Sequence, residues 1–272
     1  MSAWPGRGKA SDVAGSLRGR ASDYATMMRE PWHQLRIELV WRTLEPFVRP
    51  SSKWLDVGCG DGSLAMRAAI SGHTIRIADV NPDMVAVATD ALRGVTSARS
   101  WESLVLHEPA EAALGEHAEF YDVVTAHNVL EYVANRTGFA RALAGRSRPG
   151  GIVSLLVANP VAVPLTTAVR TQDPRALLAD LRGQGLRLGM PGKHVAAPPV
   201  DTTAVVDEIV AAGFTPVGFY GIRVFNEVMT DEHRKHEPGW LTDMVEAELL
   251  AAEREEYRAI ARHHHLVFRR EG

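Results

Sequence analysis

The sequence has almost no cysteine, no long apolar run and no strong excess of charge of either sign. A single cysteine among 272 residues excludes an internal disulfide bond and a cysteine-based zinc site. No apolar run approaches the ~20 residues that span a bilayer, and the polar, glycine-containing N-terminus lacks the apolar core of a signal peptide. We therefore expect a cytoplasmic protein without a membrane partner.

The charge balance argues against a chain that binds nucleic acid with its whole surface. Thirty Lys and Arg residues against 33 Asp and Glu residues give a net charge of −3, so contact with RNA would need a local basic patch. The N-terminal segment 1–22 could supply one through its Lys and Arg residues, and we otherwise expect it to be a flexible arm. Hydrophobic residues make up 46% of the chain, which is typical of a globular domain.

Short apolar runs alternate with helical spacing through the first 158 residues. A helix is predicted from Asp23 to Val48. Strands are then predicted over Lys53–Val57, Thr74–Ala78, Ser103–His107, Tyr121–Ala126 and Ile152–Val157, with helices over Leu64–Ile70, Asp83–Leu92 and Arg136–Arg146. Repeated strand–helix units predict an α/β fold, a Rossmann-like doubly wound and mainly parallel sheet of seven strands.

The second half of the chain interrupts this alternation and then resumes it. Residues 159–200 are rich in Pro, Gly and Arg, with one predicted helix over Arg175–Leu181. Further helices are predicted over Thr202–Ala212 and Trp240–Ala261, and strands within Phe214–Phe225 and over His263–Phe268. We expect one domain over 23–272, with helical lid insertions at about 159–200 and 226–260.

The most informative motif is a glycine loop between a predicted strand and a predicted helix. Gly58, Gly60 and Gly62 would let the backbone turn sharply and approach a ligand closely. Asp79 ends the next strand, 21 residues beyond Gly58, a spacing at which an acidic residue binds the ribose hydroxyls of an adenosine. Alternatively, Asp79 and Asp56 are only turn and cap residues.

The details of this loop favour S-adenosylmethionine over a nicotinamide dinucleotide. The dinucleotide pattern would place its third glycine at position 63, which is Ser63, whereas here it stands at Gly62. Asp56, two residues before the first glycine, suits the cationic end of S-adenosylmethionine better than a pyrophosphate. Cys59 within the loop is expected to pack rather than to react.

Four segments in this order resemble the class I S-adenosylmethionine-dependent methyltransferases: LDVGCGDGS at 55–63, IADVNPDMV at 77–85, YDVVTAHNVLEYV at 121–133 and RPGGIVSLLV at 148–157. A closer resemblance is to the bacterial tRNA 5-carboxymethoxyuridine methyltransferases, which esterify the carboxylate of a modified wobble uridine. It lies in HQLRIELVW at 33–41, SLLVANP at 154–160, AAGFTPVGFYGIRVF at 211–225 and ARHHHLVFRR at 261–270.

The resemblance implies roles for individual residues. Arg36 would hold the carboxylate of the cofactor, Asp79 its ribose, and His127 would lie beside the methyl group. The full implied cofactor set is Arg36, Asp56, Gly58, Cys59, Gly60, Asp79, Val80, Ala110, Glu111 and His127. The candidate substrate-binding residues are Asn159, Arg223, Arg262 and His265, with Arg223 first because it lies at the end of a late strand.

The acceptor is predicted to be a carboxylate in the tRNA anticodon loop, with a small-molecule acceptor as the alternative. A carboxylate with a pKa near ~4 is already ionised and needs no general base. A positioned arginine can bind it through two hydrogen bonds, and Arg223, near the end of a late strand, is the candidate catalytic residue together with His127. If a hydroxyl is methylated instead, His127 is the candidate base.

One feature favours a small-molecule acceptor. The related family has a lysine-rich run after a Met-Pro dipeptide, whereas here Met190-Pro191 is followed by the single Lys193, a weaker phosphate contact. That difference favours an O-methyltransferase of a small metabolite, and a non-catalytic cofactor-binding protein is a further alternative. No metal site is expected from His263-His264-His265. Only the first and third residues share a face of a strand, and a zinc site usually needs three or four ligands.

Overall fold

The computed structural model describes residues 19–95, 101–106, 110–116, 118–183, 186–190 and 193–272. The first 18 residues of the predicted arm lie outside the described residues, as does His107 at the end of one predicted strand. No helix in these ranges combines the length and the apolar character that crossing a membrane requires.

Seven strands form one sheet, as predicted, and two more form a separate hairpin. The strands are β1 (Lys53–Val57), β2 (Thr74–Asp79), β3 (Trp101–Val105), β4 (Tyr121–His127), β5 (Ser147–Ala158), β6 (Leu186–Met190), β7 (Lys193–Ala197), β8 (Phe214–Ile222) and β9 (His263–Arg270). The sheet order is β3-β2-β1-β4-β5-β9-β8, and β6 pairs with β7. Only β9 runs antiparallel to its neighbours in the sheet.

Twelve α-helices surround the sheet within the described residues. They are α1 (Ala21–Met27), α2 (Pro31–Leu44), α3 (Ser63–Ile70), α4 (Pro82–Val95), α5 (Ala110–Glu116), α6 (Arg136–Ala144), α7 (Ala162–Thr171), α8 (Pro174–Gly183), α9 (Thr202–Ala211), α10 (Phe225–Val228), α11 (Trp240–Ala252) and α12 (Glu255–Arg258). Short 3₁₀ turns occupy Glu45–Phe47, Leu130–Tyr132 and Arg234–His236.

The central strands are buried on both faces, which is why their sequences are continuous apolar runs. One hydrophobic cluster includes Leu55, Val124 and Phe139, and a second, separate cluster includes Trp41, Trp54 and Ile77. Trp41 of α2 stacks on Trp54 of β1 with their ring centroids 6.0 Å apart. This contact helps to hold α2 against the sheet next to the strand ends.

The helix predicted from Asp23 to Val48 is wrong in one respect, because the structure divides it in two. Pro31 begins α2 at its first position, where the missing N–H costs nothing. The same proline disfavours helical backbone at Glu30, which is extended with ψ at 143°. The chain therefore turns between α1 and α2, and α1 is free to pack across the glycine loop.

The helix predicted over Trp240–Ala261 is also wrong in length. It ends at Ala252, Arg254 is extended with ψ at 126°, and a separate short helix follows. The extended Arg254 redirects the chain, and Ala261, which ends this turn, is fully buried just before β9. Within 159–200 the structure adds α7 and the β6–β7 hairpin, which were not predicted. Pro164 obscures α7 in the sequence but lies in its first turn, where proline is tolerated.

Candidate active site

The ends of β1, β2 and β4 meet at one edge of the sheet, since these three strands are parallel neighbours. Gly58 follows β1 with φ at +70°, and a β-carbon there would lie 2.3 Å from Cγ2 of Val129. Gly60 and Gly62 also have positive φ. The loop therefore requires glycine both for its backbone conformation and for the close approach of the segment that follows β4.

Asp79 is fixed by backbone amides at the end of β2. Its Oδ1 accepts a hydrogen bond from the N–H of Asn81 at 2.8 Å, and its Oδ2 accepts one from Gly60 at 3.4 Å. Burial raises the pKa of this carboxyl, which these amides partly oppose. Val80 follows it directly and is half-buried. The position of Asp79 beside the glycine loop suits the ribose hydroxyls of a nucleoside.

Asp56 lies below the loop, within β1, and is 4% exposed. Its Oδ1 accepts a hydrogen bond from Oγ1 of Thr125 on β4 at 2.7 Å, and burial raises its pKa to about 7. Burial likewise raises the pKa of the Cys59 thiol well above its usual value. The structure thus places a partly neutral carboxyl and a protonated thiol at these two positions, and the thiol state fits a packing residue.

Arg36 reaches from α2 to the end of β4. It is 9% exposed, and its Nη1 donates to Oδ1 of Asn128 at 3.2 Å. Its Nη2 lies 3.5 Å from Sδ of Met28, which follows α1. Tyr24 of α1 covers the glycine loop, because a β-carbon on Gly60 would lie 3.4 Å from its ring. An arginine in this position can bind the carboxylate of an amino-acid cofactor.

His127 is the last residue of β4 and is half-buried. Its Nε2 forms a hydrogen bond of 2.8 Å with Oγ of Ser154 on β5, and the same hydroxyl lies 2.8 Å from Nε2 of His265. Burial, His265 and Arg36 lower the pKa of His127 well below its usual value. His265 itself is fully buried, and it contacts His127 through Ser154 and through an edge-to-face ring contact with centroids 5.6 Å apart.

Arg223 lies just beyond β8 in the left-handed backbone region, with φ at +65°. It is 8% exposed and forms a buried ion pair with Glu227, one helical turn onward in α10. Its carbonyl accepts a hydrogen bond from the N–H of Arg262 at 2.9 Å. A non-glycine residue in this conformation costs on the order of 1–3 kcal/mol and is typical of functional sites.

A group of basic side chains surrounds this ion pair. Three of their nitrogen atoms are buried and have no hydrogen-bond partner among the described residues: Nε of Arg223, Nδ1 of His33 and Nδ1 of His263. Burial and the nearby Arg223, Arg262 and Arg36 lower the pKa of His263 well below its usual value. We call Arg36, Arg223, Arg262, His33 and His263 the basic cluster.

The remaining predicted site residues occupy different surroundings. Ala110 and Glu111 begin α5. Asn159 is 2% exposed, its amide donates to the carbonyls of Ala259 and Ala261 at 2.9 Å, and its Oδ1 accepts from the N–H of Val161. The side-chain amide of Asn159 is therefore occupied by hydrogen bonds to the backbone, which is typical of a structural residue.

Four further residues lie at this site and were not predicted from the sequence: Tyr24, His33, Asn128 and Glu227. Glu227 follows Arg223 by four residues, a spacing that places opposite charges together on a helical turn. His33 lies in the same segment as Arg36, one turn before it. Nothing in the sequence marks Tyr24, because its role depends on how α1 folds across the loop.

Comparison with known proteins agrees with this geometry. Residues 55–153 match the profile of a methyltransferase domain. A tRNA 5-carboxymethoxyuridine methyltransferase of Escherichia coli is 25% identical over 247 residues, which is 87% of this chain and 88% of that protein. A ubiquinone biosynthesis O-methyltransferase of Xanthomonas axonopodis pv. citri is 33% identical over 144 residues, which is 52% of this chain and 57% of that protein.

Solved structures share the fold at low sequence identity. The magnesium protoporphyrin IX methyltransferase of Synechocystis PCC 6803 with bound S-adenosylhomocysteine has a TM-score of 0.63 and 14% identity, covering 97% of this chain and all of that one. The 4+2 cyclase SpnF has a TM-score of 0.60 and 16% identity, covering 99% of each chain. Because a cyclase shares it, the fold alone does not define the reaction.

The matched domain, the sheet order and the glycine loop together define the class: the chain is an S-adenosylmethionine-dependent methyltransferase. Within that class its similarity extends over most of its length to the tRNA 5-carboxymethoxyuridine methyltransferases, and over about half of its length to the ubiquinone biosynthesis O-methyltransferases.

Proposed function

We propose that the chain methylates a carboxylate oxygen, and that this carboxylate belongs to a 5-carboxymethoxyuridine of tRNA. The observation that supports a carboxylate acceptor is the basic cluster, in which Nε of Arg223, Nδ1 of His33 and Nδ1 of His263 are buried without a hydrogen-bond partner among the described residues. Glu227 pairs with Arg223, whereas burial raises the pKa of the nearby Glu131 and Glu248 and so disfavours their charged forms. The three arginines of the cluster are therefore in excess. Buried polar nitrogens without partners are costly, and an anionic ligand would accept hydrogen bonds from Arg223 and from each histidine nitrogen that carries a proton.

The residues at the strand ends fit the cofactor. Arg36 can bind its carboxylate, Asp79 can accept from its ribose hydroxyls, and the glycine loop leaves backbone room beside them. When bound, S-adenosylmethionine supplies an electrophilic methyl group on a sulfonium, whose neutral leaving group needs no acid.

Arg223 binds and orients the acceptor carboxylate in this account. With the cofactor bound, an oxygen of the acceptor carboxylate would bond to the methyl group that the sulfonium supplies, the electron pair of the broken S–C bond would stay on sulfur, and no protein residue would need to move a proton. The basic cluster also replaces the water that the carboxylate loses on entering the site, which keeps it ionised. Orientation of this kind contributes on the order of 7–11 kcal/mol to a reaction between two bound groups.

A small-molecule hydroxyl is the second candidate acceptor, and the similarity to the ubiquinone O-methyltransferases favours it. That reaction needs a base to remove the hydroxyl proton, and His127 is the residue in position. The lowered pKa of His127 makes it a weak base near neutral pH. The similarity to the tRNA methyltransferase also covers 87% of this chain, whereas the similarity to the ubiquinone O-methyltransferase covers 52%.

The decisive assay uses tRNA as the methyl acceptor. Purified protein and S-adenosylmethionine are incubated with tRNA that carries free 5-carboxymethoxyuridine, and the nucleosides are analysed by mass spectrometry. We expect loss of the free acid and a product heavier by one methylene unit. Parallel incubations use small catechols and small carboxylic acids. Methylation of a catechol with unchanged tRNA would establish the hydroxyl alternative and exclude this proposal.

The pH dependence of the rate distinguishes the two chemistries independently of the acceptor's size. A carboxylate with a pKa near ~4 is fully ionised above pH 6, so the rate should be flat from about pH 6 to 9. A hydroxyl acceptor activated by a histidine would instead give a rate that rises with pH through the pKa of that base.

A further inference from the structure

A continuous chain of hydrogen bonds connects α2 with the end of β4 through the middle of the sheet. Oγ1 of Thr43 lies 2.8 Å from Nδ1 of His265, Nε2 of His265 lies 2.8 Å from Oγ of Ser154, and that hydroxyl lies 2.8 Å from Nε2 of His127. Thr43 is 5% exposed, and Ser154 and His265 are fully buried. Water therefore cannot compete for these bonds.

The direction of every bond in this chain follows from its first member. Oγ1 of Thr43 lies 2.8 Å from the carbonyl oxygen of Leu39, and a carbonyl has no proton to give, so the threonine hydroxyl donates to it. With its single proton committed, Thr43 can only accept from Nδ1–H of His265. Nε2 of His265 must then accept from Ser154, and Ser154 must accept from Nε2–H of His127.

We propose that this relay of Thr43, His265 and Ser154 holds His127 as its Nε2–H tautomer, so that Nδ1 presents a lone pair to the cofactor site. Nδ1 of His127 has no hydrogen-bond partner among the described residues. It is also not one of the fully buried nitrogen atoms that lack a partner, so a ligand can reach it. Thr43, Ser154 and His265 are thus positioning residues. They act on the cofactor only through the ring of His127.

The tautomer of His127 affects binding because the cofactor and its product differ in charge. S-adenosylmethionine carries a positive sulfonium with a polarised methyl group, whereas the product S-adenosylhomocysteine has a neutral sulfur. An Nδ1 lone pair is compatible with that positive charge, and an Nδ1–H would direct a positive hydrogen at it. The relay therefore favours the methyl donor over the spent product. This inference concerns the cofactor side of the site and does not depend on which acceptor is methylated.

Thr43→Val tests the relay at its far end, because valine keeps the shape of threonine and removes the hydroxyl. Nδ1–H of His265 then loses its acceptor, so His265 shifts its proton to Nε2. Ser154 accepts that proton's hydrogen bond and donates to His127, which becomes the Nδ1–H tautomer. Thr43→Ser keeps the hydroxyl and should retain the wild-type tautomer.

The first measurement is ¹⁵N NMR of the full chain with labelled histidine, with His127 assigned from the His127→Gln spectrum. We expect Nε2–H at His127 in the wild type and in Thr43→Ser, and Nδ1–H in Thr43→Val. Nδ1–H in the wild type, or the same tautomer in the wild type and Thr43→Val, would overturn the proposal. Ser154→Ala, which removes the middle link, should give a mixture of both tautomers, and a single Nε2–H form there would also contradict it.

The second measurement compares two ligands by calorimetry. In Thr43→Val the Kd of S-adenosylmethionine should rise about tenfold, the size of one charge-assisted hydrogen bond, while that of S-adenosylhomocysteine changes less than about threefold. Thr43→Ser should restore the wild-type ratio. Equal weakening of both ligands would mean that the substitution only disturbs the packing, and would refute a tautomer-dependent role.

Discussion

Arg223 combines left-handed backbone, deep burial and a charge that Glu227 balances within the same turn. The ion pair fixes the guanidinium but leaves Nε buried and without a partner among the described residues. Burial opposes the ionisation of Glu227, yet Arg223 and Arg262 lower its pKa, so the pair is charged. The planar, multiply donating group of arginine is needed to hold Glu227 and an acceptor carboxylate together.

Replacing Arg223 with lysine should therefore separate acceptor binding from cofactor binding. Arg223→Lys keeps the charge opposite Glu227 but has no second donor in fixed geometry. We expect the KM for the acceptor to rise about tenfold or more, with the Kd of S-adenosylmethionine unchanged within about twofold. Kinetic assays and calorimetry measure the two effects. The exposed Arg254→Lys serves as the matched control, and equal losses of both affinities in Arg223→Lys would contradict the assignment.

The sequence indicated the residues whose positions follow from spacing alone. Asp79 lies beside the glycine loop, as its spacing from Gly58 predicted, because the neighbouring parallel strands β1 and β2 end at the same edge of the sheet. Asn159 was assigned to the substrate from resemblance, but its side chain bonds to backbone carbonyls, which no local pattern reveals. Tyr24 and His33 reach the site through the packing of α1 and α2, a tertiary effect outside the reach of periodicity.

At the scale of elements, the glycine loop and the segment after β4 are fitted to each other. Val129 contacts the position that a β-carbon of Gly58 would occupy, and Asn128 beside it has positive φ and accepts from Arg36. The loop, the end of β4 and α2 thus form one connected unit. A displacement of the loop should be transmitted to Arg36.

Gly58→Ala should destroy this fit. Its β-carbon would lie 2.3 Å from Val129 and would require strained backbone, so Val129 or the loop must move. We expect the Kd of S-adenosylmethionine to rise at least about tenfold and unfolding to become easier by about 2–3 kcal/mol. Calorimetry and urea unfolding measure both.

The matched control is Gly72→Ala, in an exposed turn with φ at +88° and no atom within 4 Å of the new β-carbon. It carries the same kind of backbone strain, on the order of 1–2 kcal/mol, and should leave cofactor binding unchanged. If cofactor binding weakens in both variants or in neither, the effect is not specific to the glycine loop. Either result would contradict the assignment of this loop to the cofactor site.

Across the whole molecule, the buried histidines couple stability to pH. Among the described residues, burial is the main cause that lowers the pKa of six of them: His33 and His265 to about 3, His127 and His263 well below the usual value, and His73 and His264 in the same direction. Below pH 6.5 the unfolded chain binds protons at these residues that the folded chain does not bind. The free energy of unfolding therefore decreases as the pH falls through this range. Burial also raises the pKa of four carboxyl groups, Asp56 to about 7 and Asp79, Glu131 and Glu248 above their usual values, and these groups offset part of this loss.

We expect the protein to be less stable at pH 5.5 than at pH 7.5 by about 2–4 kcal/mol, measured by urea unfolding. His265→Asn removes one of these histidines and should reduce this difference by about 1.4 kcal/mol. Stability that is constant or increases toward pH 5.5 would show that these histidines become protonated in the folded protein.

The fold as a whole was the most predictable feature. Buried parallel strands give continuous apolar runs separated by amphipathic helices, and this alternation predicted the seven-stranded sheet. Prediction was poorest in 159–200, where α7 contains a proline in its first turn and β6 and β7 pair with each other outside the main sheet. Such elements depend on tertiary contacts that leave little periodicity in the sequence.

The chemical nature of the methylated product tests the central claim most directly. Protein, S-adenosylmethionine with a radiolabelled methyl group, and tRNA bearing 5-carboxymethoxyuridine are incubated, and the recovered tRNA is treated with mild alkali. A methyl ester hydrolyses under these conditions and releases the label as volatile methanol, which is the predicted result. Label that stays on the tRNA through alkali, or that enters only a small-molecule ether, would contradict methylation of a carboxylate.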